Sequence, residues 1–161
     1  LLSAFSESGY SLWWQVLNAK DFGVPQNRER IFVIGFREGN PKEVFFKSED
    51  SRTPSVVGTT APEFKTIGQH DQTYGTDGII GALGAVDYKQ PPQIYVFDGQ
   101  VRKLMPIECE RLMSFPDNWT RWGIDEKGNK VEISDSQRYK MCGNGVVSNV
   151  VKTLAETLFR S

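Results

Sequence analysis

Gln26-Asn27-Arg28-Glu29-Arg30-Ile31-Phe32-Val33-Ile34-Gly35-Phe36 sets three spaced polar side chains directly before an unbroken apolar run. A short apolar run bounded by charged residues predicts a strand buried on both faces, within a sheet covered by helices. On an extended backbone alternate side chains share a face, so Gln26, Arg28 and Arg30 form a comb. The planar donor fork of arginine suits phosphate oxygens or the carbonyl edge of a base, which makes the comb a candidate nucleotide-binding element. Surface salt bridges to Glu29, Asp21 or Glu38 would produce the same spacing.

Upstream of this stretch, Leu1 to Ser8 reads as the end of an amphipathic helix closed by Gly9. Ser11 to Leu17 then has strand character, and a loop follows with Asp21, Gly23 and Pro25. Downstream, apolar periodicity fades from Arg37 to about Gln93, where Gly68, Gly75, Gly78, Gly81 and Gly84 crowd together; this predicts an irregular, loop-rich insertion. Ile94 to Phe97, Asp98-Gly99 and Val101 to Leu104 form the pattern of a tight hairpin. Pro106 suits a first helical turn, and Met105, Cys109, Leu112 and Met113 fall on one face, predicting a helix over about 105–115 that stops at Pro116. Val147, Val150, Val151, Leu154 and Leu158 repeat at helical spacing near the end of the chain.

The 161 residues carry a formal charge of −1, so any surface for a polyanion must be local rather than global. Two cysteines and one histidine are too few for a disulfide framework or a closed zinc site, which points to no metal and to a reducing, cytoplasmic setting. No apolar stretch approaches the roughly 18 residues of a membrane span, and the start lacks the basic and apolar segments of a signal peptide. The chain opens on Leu1 in what reads as mid-helix, so a preceding segment is expected.

Two further segments carry chemistry. Arg102-Lys103-Leu104-Met105-Pro106-Ile107-Glu108-Cys109-Glu110-Arg111-Leu112-Met113, followed by Ser114 to Trp119, is a basic strand end feeding a capped helix and an aromatic turn. Its apolar members read as core support. In Ser136-Gln137-Arg138-Tyr139-Lys140-Met141-Cys142-Gly143-Asn144-Gly145-Val146-Val147, glycines flank an asparagine at an expected helix start, leaving backbone N–H groups free for an acceptor on a ligand.

In this order the three segments resemble the last three sequence blocks of the DNA cytosine-5 methyltransferases, most nearly those of phage and bacterial restriction-modification systems. The correspondence covers most of residues 10–36, 101–119 and 136–151, and Arg37 to Gln100 falls where that family places its variable target-recognition region. The resemblance implies an α/β architecture: the C-terminal part of a Rossmann-like S-adenosylmethionine-dependent domain plus a small, irregular β-containing recognition domain. Residues 1–40 and 134–161 would belong to the former, 41–133 to the latter.

In that family a proline-cysteine loop supplies a thiolate that attacks C6 of a cytosine flipped out of the duplex, and the methyl group comes from S-adenosylmethionine. Neither Cys109 nor Cys142 follows a proline, and both read as small hydrophobes. The family's glycine-rich cofactor loop, proline-cysteine loop and glutamate-asparagine-valine block would lie before Leu1. The expectation is therefore that no catalytic nucleophile lies in this chain, that only part of a cofactor site is present, and that an N-terminal half is needed for catalysis.

By the same resemblance Gln26, Arg28 and Arg30 would border the cytosine pocket, with Arg30 on the base carbonyl or its phosphate. Asn144 and Gly145 would meet the methionine end of the cofactor, with Val146 lining its pocket; glycine stands at 145 where many members carry serine. Arg102 and Lys103 would touch phosphates of double-stranded DNA. Gln69, His70, Asp71, Gln72 and Lys89 are candidates for base edges or phosphates, although a solvated loop would show the same residues. Ala82 and Gly84 stand where relatives often carry threonine, so recognition is expected to be altered or impaired. Self-association through uncovered apolar surface is a further expectation. Two other readings stay open: a non-catalytic DNA-binding module or decayed phage remnant, and an unrelated structural protein with chance motifs.

Overall fold

A computed structural model describes residues 2–37, 56–59, 72–74, 79–85, 87, 89–96 and 100–159. The first helix, α1 (Leu2–Glu7), ends through Gly9, whose φ of 81° lies in the left-handed region that glycine enters without strain. β1 (Ser11–Asn18) then leads through a 3-10 turn (Ala19–Phe22) to β2 (Gln26–Asn27) and β3 (Glu29–Phe36). β1 and β3 pair antiparallel over their full length, from Ser11 opposite Phe36 to Asn18 opposite Glu29.

This ribbon corrects the expectation of a strand buried on both faces. Along β3 the side chains alternate: Phe32 and Ile34 pack against the core, whereas Ile31 is 66% and Val33 43% exposed. The same holds on β1, where Trp13 and Leu17 are buried but Trp14 and Val16 are exposed. Trp14 faces Val33 and Val16 faces Ile31 across the ladder, so the four form one uncovered apolar face. An apolar run records that a strand has two oily faces. It does not record whether this chain supplies a layer for each.

The middle of the chain carries more strand than an irregular insertion implies. β4 (Val56–Thr59), β5 (Gln72–Tyr74), β7 (Gln93–Val96) and β8 (Gln100–Lys103) form a four-stranded sheet in the order β4-β5-β7-β8. β7 and β8 make the predicted antiparallel hairpin, with Gln93 opposite Lys103 and Val96 opposite Gln100; its Asp98-Gly99 turn lies outside the described residues. β6 (Ile80–Gly81) pairs parallel with β2 and, through Ile80 N–H to Pro25 C=O at 2.9 Å, ties the middle of the chain to its first part.

α2 (Pro106–Leu112) starts at its proline, as predicted. The Glu108 carboxylate accepts the Met105 N–H at 2.7 Å and receives the Arg102 guanidinium in a two-pronged pair at 2.6 and 2.8 Å, so one side chain closes the helix start and ties it to β8. A hairpin of β9 (Trp122–Ile124) and β10 (Lys130–Glu132) follows, then α3 (Asp135–Asn144) and α4 (Ser148–Phe159). α4 buries Val150 and Leu154, two positions of the predicted stripe. The core joins the first ribbon to the second half of the chain: Trp13, Leu17, Ile80, Leu83, Ile94, Leu104, Cys109, Leu112, Met113, Cys142, Val147, Val150 and Leu154 belong to one cluster.

Beneath the β9–β10 hairpin lies a buried polar network. Glu110, with no exposed surface, accepts from the N–H groups of Asn118 (2.7 Å) and Thr120 (2.9 Å), from the Thr120 hydroxyl, and from the Arg138 guanidinium at 3.1 Å. Burial alone would raise the Glu110 pKa, but the donors on Thr120, Arg138 and Asn118 outweigh it and hold the carboxyl below its ordinary range. Arg138 on α3 is thereby locked to α2, and Tyr139 adds a bond from its hydroxyl to the Leu104 carbonyl at 2.6 Å.

Candidate base and cofactor site

The comb at 26, 28 and 30 does not survive as a single face. β2 stops at Asn27, and Arg28 sits in a break before β3, where the Asn18 side chain accepts its N–H at 3.0 Å. Gln26 is fully buried, and among the described residues its amide makes no hydrogen bond. It is therefore part of the interior rather than a groove-facing group.

Arg28 is 4% exposed and points inward. Its guanidinium donates to the carbonyls of Leu83 (2.6 Å), Gly143 (3.0 Å) and Gly145 (2.9 Å). Burial pushes its pKa down and repulsion from Arg30 adds to that, while Asp87 counters only part of the shift; the group stays charged. Arg30 is exposed, with its guanidinium folded back onto the Glu29 carbonyl at 2.6 Å. Both arginines line a small, mostly apolar hollow with Leu17, Phe32, Val146 and Val150. Two of the three comb residues thus reach the same hollow as the cofactor-turn residue Val146.

The Gly143-Asn144-Gly145 turn is the end of α3, not the start of a helix. The Gly145 N–H donates to the Cys142 carbonyl at 3.2 Å, so it is not free for a ligand, and the carbonyls of Gly143 and Gly145 are the groups that Arg28 satisfies. A cation at a helix C-terminus is the favoured sign there. The glycine at 143 has a steric reason: a Cβ would stand 2.2 Å from the Gly84 carbonyl oxygen and 2.7 Å from the Ala85 nitrogen. Gly84 belongs to a turn closed by Asp87, whose carboxylate accepts the Gly84 N–H at 2.8 Å while its own N–H reaches the Gly84 carbonyl at 3.1 Å. Of the cofactor candidates, Asn144 and Val146 are exposed and Gly145 is half-buried.

The DNA-contact candidates divide. Arg102 is engaged with Glu108, whereas Lys103 is exposed at the end of β8 and Lys89 is exposed in the turn after Asp87. Gln72 lies in β5, and Gln69, His70 and Asp71 fall outside the described residues. Both cysteines are free and buried, and burial pushes both thiols up, that of Cys142 to about 11. Among the described residues no cluster could hold a metal ion, and no helix is long and apolar enough to cross a membrane.

Comparison with known proteins settles the family. The model of the C-5 cytosine-specific DNA methylases matches residues 1–81 and 58–160. This chain belongs to that family. Among curated relatives, the type II methyltransferase M.HhaI of Haemophilus parahaemolyticus is 32% identical over an alignment covering 95% of this chain and 54% of that protein. The type II methyltransferase M2.BsuMI of Bacillus subtilis is 29% identical, covering 98% and 42%. The chain thus spans about half the length of such relatives. In fold it is similar to the Entamoeba histolytica methyltransferase EhMeth (TM-score 0.68, 18% identity, 99% of this chain and 56% of that one). The Dnmt2 methyltransferase of S. pombe is similar too (TM-score 0.68, 17% identity, 99% and 59%). The described elements form an α/β fragment of a methyltransferase fold.

Proposed function

We propose that this chain is the target-recognition and C-terminal portion of a DNA cytosine-5 methyltransferase, acting on a cytosine flipped out of double-stranded DNA and dependent on an N-terminal half for catalysis. The observation that carries the reading is the shared hollow: Arg30 and Phe32 of the base-side block and Val146 of the cofactor-side block line one recess. The recess is only about 10 Å³, too small for a base, so what it supports is that the base-side and cofactor-side blocks lie side by side, as a base pocket and a methyl donor must.

S-adenosylmethionine supplies the methyl group in this reading. The exposed Asn144 amide and the Val146 side chain are the groups free to hold it, so the site here is partial. The fit is narrower than the sequence implies, because the Gly145 N–H is spent within α3. Arg30 contacts the base carbonyl or a nearby phosphate, and Lys103 and Lys89 are the exposed cations placed to touch the backbone of DNA. The two thiols are buried and of raised pKa, so the nucleophile comes from another polypeptide segment. Trp14, Val16, Ile31 and Val33 form the face on which that segment packs, and self-association of the isolated chain would use the same face.

Mixing tests the whole reading. The chain is combined with a polypeptide carrying the family's proline-cysteine loop, and transfer of labelled methyl to duplex DNA is measured. Transfer is expected only from the mixture. Transfer by this chain alone overturns the missing nucleophile. Duplex binding that never gains activity on mixing supports instead a DNA-binding module without catalysis.

A further inference from the structure

Arg28 falls within the base-side block, yet its guanidinium is turned away from solvent, and its two terminal nitrogens donate to three backbone carbonyls while Nε makes no hydrogen bond among the described residues. Those carbonyls come from two segments far apart in the chain: Leu83, beside the turn closed by Asp87, and the α3 end at Gly143 and Gly145. Behind it, Asn18 accepts the Arg28 N–H and the Arg28 carbonyl accepts the Ala19 N–H at 2.9 Å, so the backbone that carries the fork is itself held. On the far side, the absence of a side chain at Gly143 lets the backbone of Gly84 and Ala85 lie directly against α3. We propose that Arg28 is a positioning residue, locking the segment at Leu83 to Ala85 and the 143–146 turn to the strand that carries Arg30. Its contribution to methyl transfer rests on the reading above, with one segment belonging to target recognition and the other to the cofactor turn. The lock itself does not depend on that reading.

The test is made on the chain alone, by hydrogen exchange of backbone amides in the unsubstituted protein, Arg28→Met and Arg28→Lys, without DNA or cofactor. Hydrogen bonds to a charged group support local order strongly enough that Arg28→Met is expected to speed exchange at Gly84, Asp87 and Gly145 by about tenfold or more. Amides of the β9–β10 hairpin, which shares no hydrogen bond with Arg28 among the described residues, should keep their rates. Arg28→Lys retains the charge but not the planar fork, and gives an intermediate value; it also serves if the methionine variant fails to fold. Duplex titrations over a range of salt complete the test: both variants should keep the salt dependence of the parent, while Arg30→Met should flatten it by about one charge. Unchanged exchange at Gly84, Asp87 and Gly145 overturns the proposal, as does equal acceleration in the hairpin, which would mark general loss of stability. A flattening in Arg28→Met equal to that in Arg30→Met also overturns it, by showing a direct phosphate contact. Failure of the unsubstituted chain to bind any duplex counts against the methyltransferase reading alone, and the exchange result still decides the lock.

Discussion

Replacing Glu110 by alanine should unfold this protein more readily than any surface change. The carboxylate takes hydrogen bonds from Asn118 N–H, Thr120 N–H, the Thr120 hydroxyl and Arg138, all from a position with no exposed surface. Glu110→Ala leaves those donors and one guanidinium charge without their acceptor, in a site where Thr120 is 1% and Arg138 8% exposed. Breaking one side of a buried pair costs about 3–5 kcal/mol. Asp135 lies 3.6 Å from Arg138 and is largely exposed, so it retains part of the charge balance and sets the value near the lower end, about 3 kcal/mol. With a urea slope of roughly 2 kcal/mol per molar, the unfolding midpoint should fall by about 1.5 M. The acid limb gives an independent readout. The Glu110 pKa is depressed in the folded state, so its stabilisation is full above the ordinary value of 4.5 and is lost as pH falls through the lower folded value. The alanine variant should therefore lose stability less steeply than the parent below pH 4.5. In the double variant Glu110→Ala/Arg138→Met, the costs should fall short of the sum by about 1–3 kcal/mol. A loss under about 1 kcal/mol for Glu110→Ala, or additivity within about 0.5 kcal/mol, would refute the claim that these residues act as one unit.

Gly143→Ala places a methyl group 2.2 Å from the Gly84 carbonyl oxygen and should cost about 1–3 kcal/mol in the same urea assay; an unmoved midpoint would show that the two segments separate freely. Cys109 and Cys142 should resist iodoacetamide near pH 8 in the folded protein and react once it is unfolded, and native labelling at the rate of a free thiol would contradict their burial. Replacing Val33 by lysine, at 43% exposure, should leave the unfolding free energy within about 0.5 kcal/mol of the parent while lowering self-association in sedimentation; unchanged association would remove the β1–β3 face from the account.

Much of the fold could be read from the sequence where hydrophobic rhythm matches a surface this chain itself buries. The α4 stripe, the Pro106 start of α2 and the β7–β8 pairing are of that kind. α3 is not legible, because only Arg138, Cys142 and Gly143 of its ten residues are buried and much of its hold on α2 is the Arg138–Glu110 pair, which leaves too few apolar positions for a period. The β9–β10 hairpin is short, and its side chains are mostly exposed, so alternation carries no signal there either. In the site, alternation takes the backbone as extended through 28, but Arg28 lies in a break between β2 and β3 where Asn18 holds its N–H, so Arg28 turns inward while Arg30 stays exposed. The glycines around Asn144 predict donors at a helix start. Their carbonyls matter instead, since the helix precedes them.

The lock at Arg28 touches only main-chain atoms on its far side. A joint that grips carbonyl oxygens is indifferent to which side chains its partner segment displays. The side chains around Leu83 to Ala85 can therefore be changed without loosening that seat, provided position 143 stays free of a side chain. Ala82 and Gly84 fit such changes, since neither needs a side chain to keep Leu83 in register with Arg28.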